Sequence, residues 1–163
     1  MRSSNRRVGK HAGDGITALF LAEQHPSESA AARACIEAAR AVSAHTAEVA
    51  ARSDLRPEEV SVRFGLHWGA TLYVGSRLTS GRADATALGD EMNEAARIEA
   101  CASGGRTFAS KSLVERLSPE DLATLEIDSS RLRFTQLGDL QMATAKARHD
   151  APSLPVCDLS LSA

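Results

Sequence analysis

The residues of this chain best placed to do chemistry are an amide and a guanidinium four positions apart, Asn93 and Arg97, within ALGDEMNEAARIEACASGG from Ala87 to Gly105. On a helix, side chains at i and i+4 lie on one face. An amide both donates and accepts hydrogen bonds and a guanidinium only donates, so the pair suits a ligand that carries hydroxyls and negative charge. A second stretch, GKHAGDG from Gly9 to Gly15, sets Lys10 and Asp14 at another fixed spacing. A cation, a carboxylate, an amide and a guanidinium are the groups a nucleotide-handling domain needs. Taken singly, each has an ordinary reading: Asp14 as a turn residue, Lys10 as a solvated strand residue, Asn93 and Arg97 as helix-start and surface-helix side chains.

The elements that must hold these groups can be read from pattern. Gly89 and Asp90 give a turn-and-cap signal and Gly104 and Gly105 a C-terminal stop, which predicts a short helix between them. Asp14-Gly15 between two strand-like segments over residues 7–21 predicts a hairpin with Asp14 at its tip. Ala32, Cys35, Ile36, Ala39 and Val42 recur at helical spacing, so residues 27–51 read as a long amphipathic helix. Val60, Val62, Phe64 and Leu66 alternate with Ser61, Arg63, Gly65 and His67, the period of a half-buried strand, and a short strand is expected over 71–74. Residues 78–85 are polar and read as a loop or ragged hairpin.

Further on, 107–110 reads as a strand and 112–116 as a helical turn. Ser118-Pro119-Glu120-Asp121 starts another helix, 131–137 and 154–159 are late strands, and 143–152 is expected to be irregular. This order gives an α/β sandwich with antiparallel hairpins mixed into the sheet.

Composition narrows the function classes. The chain has 163 residues, 43% hydrophobic and 25% charged, with a net charge of −2. That fits one domain with one core, and its scattered basic residues argue against a nucleic-acid partner. No apolar run approaches the length of a membrane span, and no apolar stretch follows MRSSNRR as a secretion signal would require. The expected location is the cytoplasm. The three cysteines, Cys35, Cys101 and Cys157, have neither disulfide nor zinc-ligand spacing, so they read as small apolar residues. There is no GxxxxGK[ST] phosphate loop and no GxSxG elbow. His67 and Trp68 read as structural.

Three segments in order, GKHAGDGITALF, RFGLHWGA (Arg63 to Ala70) and TALGDEMNEAARIEA (Thr86 to Ala100), resemble the catalytic domain of class III adenylate and guanylate cyclases. The resemblance implies a ferredoxin-type mixed sheet flanked by helices, with the family's first strand and helices missing, and a single partial catalytic domain over 1–163. Residues 6–142 carry the match, and 143–163 form an irregular tail plus a last strand.

It also implies roles. Asp14 aligns with the second of two metal-holding aspartates, and Lys10 and Thr86 with the positions that select the purine, here favouring ATP over GTP. Asn93 aligns with the residue that orients the ribose and Arg97 with the one that stabilises charge on the α-phosphate. A late triphosphate-binding cation falls on Arg148 when counted back from Leu154-Pro155-Val156 and on Ala143 when counted forward from Leu137-Gly138. The implied cofactor is a pair of Mg2+ or Mn2+ ions, with one protein ligand missing, because no Asp or Glu precedes Asp14. The implied assembly is a homodimer, or a heterodimer with a complete cyclase domain. The alternative is a non-catalytic cyclase-like dimerisation or regulatory module.

Overall fold

A computed structural model describes residues 7–12, 15–53, 55–56, 59–69, 73–79 and 82–160. Strands β1 (Arg7–Ala12) and β2 (Gly15–Leu19) form the predicted hairpin, with Ala12 opposite Gly15. Helix α1 (Glu28–Arg52) starts at Ser27, whose side chain accepts from the Ala30 amide at 3.0 Å. It buries Ala31, Ala32, Ile36, Ala39 and Ala50, while Val42 faces solvent at 44% exposure. The inward stripe is therefore narrower than the periodicity suggests.

After β3 (Phe64–Leu66) come β4 (Tyr73–Thr79) and β5 (Arg82–Leu88), which pair antiparallel from Tyr73 opposite Leu88 to Thr79 opposite Arg82. Of the loop or ragged hairpin expected over 78–85, the hairpin is found, and its strands pair in continuous register. Helix α2 (Asp90–Cys101) follows directly, then β6 (Thr107–Ser110), α3 (Lys111–Val114) and α4 (Pro119–Thr124). The chain ends its regular structure with β7 (Thr135–Gln136), α5 (Ala145–Asp150) and β8 (Pro155–Asp158).

Two late expectations change. The strand expected over 131–137 shrinks to β7, because Asp128 caps a 3-10 turn at Ser129–Arg131 by accepting from the Ser130 amide. The irregular stretch expected over 143–152 holds α5, capped by the Thr144 side chain and anchored by the fully buried Ala147.

The described strands make two four-stranded sheets, in the orders β2-β1-β5-β4 and β3-β6-β8-β7. Each mixes parallel with antiparallel pairs, since β1 runs parallel to β5 and β3 parallel to β6. The fold class is thus the mixed α/β arrangement expected. One buried cluster joins α1 to β3, β6, α3 and β8 around Ile36, Leu66, Leu113 and Leu125. A second, around Ile98, Phe108, Leu137 and Val156, seats α2 and α5 on the other side of β6 and β8.

Ser29 and Arg33 of α1 both bond to the Asp121 carboxylate, and Arg40 donates to the Leu125 carbonyl at 2.7 Å, so α1 and α4 are tied by polar contacts as well. No helix among the described residues is long and apolar enough to cross a membrane.

Candidate functional site

Helix α2 is made by its ends and its apolar face. Gly89 at its N-cap has φ +149°, a conformation that favours glycine. Asp90 and Glu91 put negative charge on the positive end of the helix dipole. Gly104 and Gly105, both with positive φ, turn the chain away after the last turn. Ile98 and Cys101 are fully buried and fix the rotation of the helix. Asn93 consequently lies exposed and Arg97 half-buried on the same face.

Packing against β3 is unusually close. A β-carbon on Gly65 would stand 2.3 Å from the Glu99 amide nitrogen and 2.6 Å from the Ala95 carbonyl oxygen. The glycine of RFGLHWGA is therefore the site where the strand backbone meets the helix backbone.

Arg97 is not isolated. Its Nε donates to Asp150 Oδ2 at 2.8 Å, and His149 Nδ1 lies 2.8 Å from the other oxygen of the same carboxylate. The His149 hydrogen bond first, and the Arg97 hydrogen bond second, hold the Asp150 carboxyl below its usual range. The Nε contact uses one of the five guanidinium donors. Arg148, two residues from Asp150 on α5, is exposed, and its Nε donates to the Gly138 carbonyl at 3.3 Å. Ala143, the other residue reached by counting, is a core residue at 8% exposure and carries no charge to offer.

Lys10 and Thr86 lie on strands β1 and β5 of the first sheet. Gly9 of β1 pairs with Ala85 of β5 in parallel register, one residue before Lys10 and Thr86 respectively. Their side chains, and all of Asp14, lie outside the described residues. β5 then runs through Gly89 straight into α2, placing Thr86 and the Asn93/Arg97 face on consecutive elements.

Two residues escaped the sequence reading. Glu91 and Glu94 on α2 both reach His67, whose side chain is 5% exposed: Nε2 is 2.7 Å from Glu91 Oε2 and 3.1 Å from Glu94 Oε2. The available signal was their i, i+3 spacing, which puts them on one face, but Glu91 in a first helical turn is already accounted for by the dipole. Trp68 packs against the larger core cluster, with Arg116 stacked 5.5 Å from its ring. Burial pushes the thiols of Cys35 and Cys157 up to about 12, and Cys101 is fully buried, in keeping with apolar roles. A shallow groove between α1 and β6, lined by Ile36, Arg40, Thr107 and Leu159, is lined by none of the expected site residues.

No protein-family model matches this chain, and no curated protein sequence does. Solved structures do. The adenylyl cyclase CyaB from P. aeruginosa superposes over 97% of this chain and 73% of its own, with a TM-score of 0.63 at 18% identity. The guanylyl cyclase Cya2 superposes over 94% and 68%, with a TM-score of 0.58 at 21% identity. Identities this low speak to the fold alone. By its architecture this chain has the fold of those two cyclase structures.

Proposed function

We propose that this chain supplies the substrate-orienting half of a nucleotidyl cyclase site, converting ATP to 3′,5′-cyclic AMP and pyrophosphate in cytoplasmic signalling together with a partner cyclase domain. The observation that carries the reading is the parallel pairing of Gly9 with Ala85, one residue before Lys10 and Thr86, with β5 leading directly into the helix of Asn93 and Arg97.

In this reading Lys10 donates to a ring nitrogen of adenine and Thr86 accepts from its amino group. Asn93 holds the ribose so that its 3′-oxygen faces the α-phosphorus. The 3′-oxygen forms the new P–O bond as the hydroxyl gives up its proton. The α–β bridging P–O bond breaks, and pyrophosphate leaves with the electron pair. Arg97 stabilises the charge that develops on the α-phosphate oxygens, and Arg148 meets the departing triphosphate end. To do this Arg97 must share its guanidinium between Asp150 and the phosphate.

Mg2+ or Mn2+, where bound in such a site, activates the attacking oxygen and neutralises the phosphates. In this reading Asp14 supplies one carboxylate to the donor set for these ions and a partner domain's aspartate the other.

The test is complementation. This chain is added to an intact cyclase whose own transition-state arginine has been mutated, and cyclic AMP formed from ATP with Mn2+ is measured. Restored activity is expected with the parent chain, falling roughly 10²- to 10³-fold when Arg97→Ala is used. No gain at saturating chain would overturn the reading. The second reading, a docking module, is favoured by the occupied Arg97 Nε; it requires that ATP with Mn2+ leave the unfolding temperature unchanged.

A further inference from the structure

The His67, Glu91 and Glu94 cluster plays no part in the nucleotide reading, and its geometry is built by backbone features that bring two elements together. The close approach at Gly65 presses the end of β3 against α2, so the turn that follows, His67-Trp68-Gly69, meets the first turns of the helix. A β-carbon on Gly69 would lie 2.5 Å from Glu91 Cγ and 2.6 Å from its Cβ, so the missing side chain there is the space that Glu91 fills. Glu94, one helical turn on, closes from the same face. One ligand atom from each of the three side chains falls within 4.8 Å of the others.

Two features separate this from surface carboxylates that merely suit a helix dipole. The imidazole is 5% exposed, its Nδ1 is buried without a hydrogen-bond partner, and its Nε2 points between the two carboxylates. Every polar contact recorded for this ring thus lies inside the cluster. In addition, two carboxylates converge on one nitrogen. A neutral imidazole has a single N–H to give and even an imidazolium a single positive charge, so one negative charge stays unbalanced within the cluster. A divalent cation balances both.

We propose that His67, Glu91 and Glu94 form a site for one divalent transition-metal ion, with zinc the best match. One imidazole nitrogen and two carboxylate oxygens are a borderline donor set that suits zinc better than magnesium or calcium, which take oxygen alone. Zinc bonds of about 2.0–2.1 Å at tetrahedral angles put neighbouring ligand atoms roughly 3.4 Å apart. The present 2.7 and 3.1 Å separations therefore open by roughly 0.7 and 0.3 Å on binding. Glu91 and Glu94, at 29% and 35% exposure, have the freedom to move and leave an open side for the ion and a water ligand. The bound ion cross-links the turn after β3 to the helix that carries Asn93 and Arg97. The site uses none of the residues of the nucleotide reading, and its existence does not depend on that reading.

The experiment uses the full chain stripped with chelator and dialysed, titrated calorimetrically with zinc chloride and, in parallel, with magnesium chloride. Unfolding temperature is followed in the same samples. One zinc per chain, bound at least tenfold more tightly than magnesium and raising the unfolding temperature, is expected. Glu94→Gln should weaken zinc at least tenfold, and Glu91→Gln with Glu94→Gln should abolish both binding and the thermal shift. These amide variants keep side-chain size, and circular dichroism of the metal-free double variant checks that the fold persists. Unchanged zinc binding in the double variant would place the ion elsewhere, for example at His149 and Asp150, and overturn the proposal. So would the absence of saturable zinc binding by the parent, or magnesium binding as tight as zinc.

Discussion

Replacing Gly65 with alanine tests the close contact on which the site geometry depends. The new β-carbon would sit 2.3 Å from Glu99 N, 2.6 Å from Ala95 O and 2.7 Å from Glu99 Cα, all atoms of helix backbone. No side chain can rotate away to make room, so the helix must withdraw from β3 by about 1 Å to restore van der Waals distance. Overpacking of a filled interior costs about 1–3 kcal/mol, and the rigid backbone partner puts Gly65→Ala near the top, about 3 kcal/mol. For a domain of this size each kcal/mol moves the unfolding temperature by about 2–4 °C, so a fall of about 6–12 °C is expected.

Gly104→Ala is the matched control. Its φ is +69° but a β-carbon there would meet nothing within 4 Å, so only the backbone cost of about 1–2 kcal/mol applies. Thermal unfolding by circular dichroism reads both variants. Fluorescence of the single tryptophan, Trp68, should change in Gly65→Ala and not in Gly104→Ala, because Trp68 packs beside the displaced strand. A Gly65→Ala protein that melts within 2 °C of the parent, with unaltered fluorescence, would refute the close-approach argument.

Ser110 is buried where β6 passes into α3: its Oγ accepts from the Leu113 amide at 3.3 Å and lies 2.9 Å from Ser112 Oγ. Ser110→Ala should lower stability by about 1–2 kcal/mol, read from the urea midpoint, and an unchanged midpoint would mean the cap carries no weight. Asp150 titrates below its usual range in the folded chain. Its stabilising contribution is therefore complete above the ordinary carboxylate pKa of about 3.9 and is lost as pH falls through the lowered value. The gap in unfolding temperature between parent and Asp150→Asn should accordingly shrink from pH 7 to pH 3, and a gap that widens would contradict the assigned sign.

What the sequence made legible was whatever local chemistry decides. Asp14-Gly15 announced the β1/β2 hairpin, Ser27 and Ser118 announced the starts of α1 and α4, and Gly89 with Gly104-Gly105 bracketed α2. Their signals act within a few residues. Helix α5 had no such signal beyond Thr144, because six residues with one buried side chain, Ala147, show no periodicity. It is held by contacts distant in sequence, the Ala147 seat in the core and the Asp150 pair with Arg97. The β4/β5 hairpin was obscured for a different reason. Its strands carry Arg77, Arg82 and Asp84 among small residues, a composition that reads as loop until the partner strand is known.

The same distinction explains the site. Asn93 and Arg97 could be paired on paper because i and i+4 always share a helical face. The contacts that govern their behaviour could not, because they come from segments far away in the chain. Asp150 lies fifty-three positions from Arg97 and His67 twenty-four from Glu91. Helix α2 is thus held on three sides at once: by β3 through the missing β-carbon of Gly65, by α5 through Asp150, and by the turn after β3 through His67. A helix so constrained has little freedom to rotate its functional face, so a change at any of the three contacts acts on Asn93 and Arg97 together. An ion between His67, Glu91 and Glu94 would tighten one of the three. A phosphate at Arg97 would loosen another by competing with Asp150, which couples ligand binding to the packing of α5.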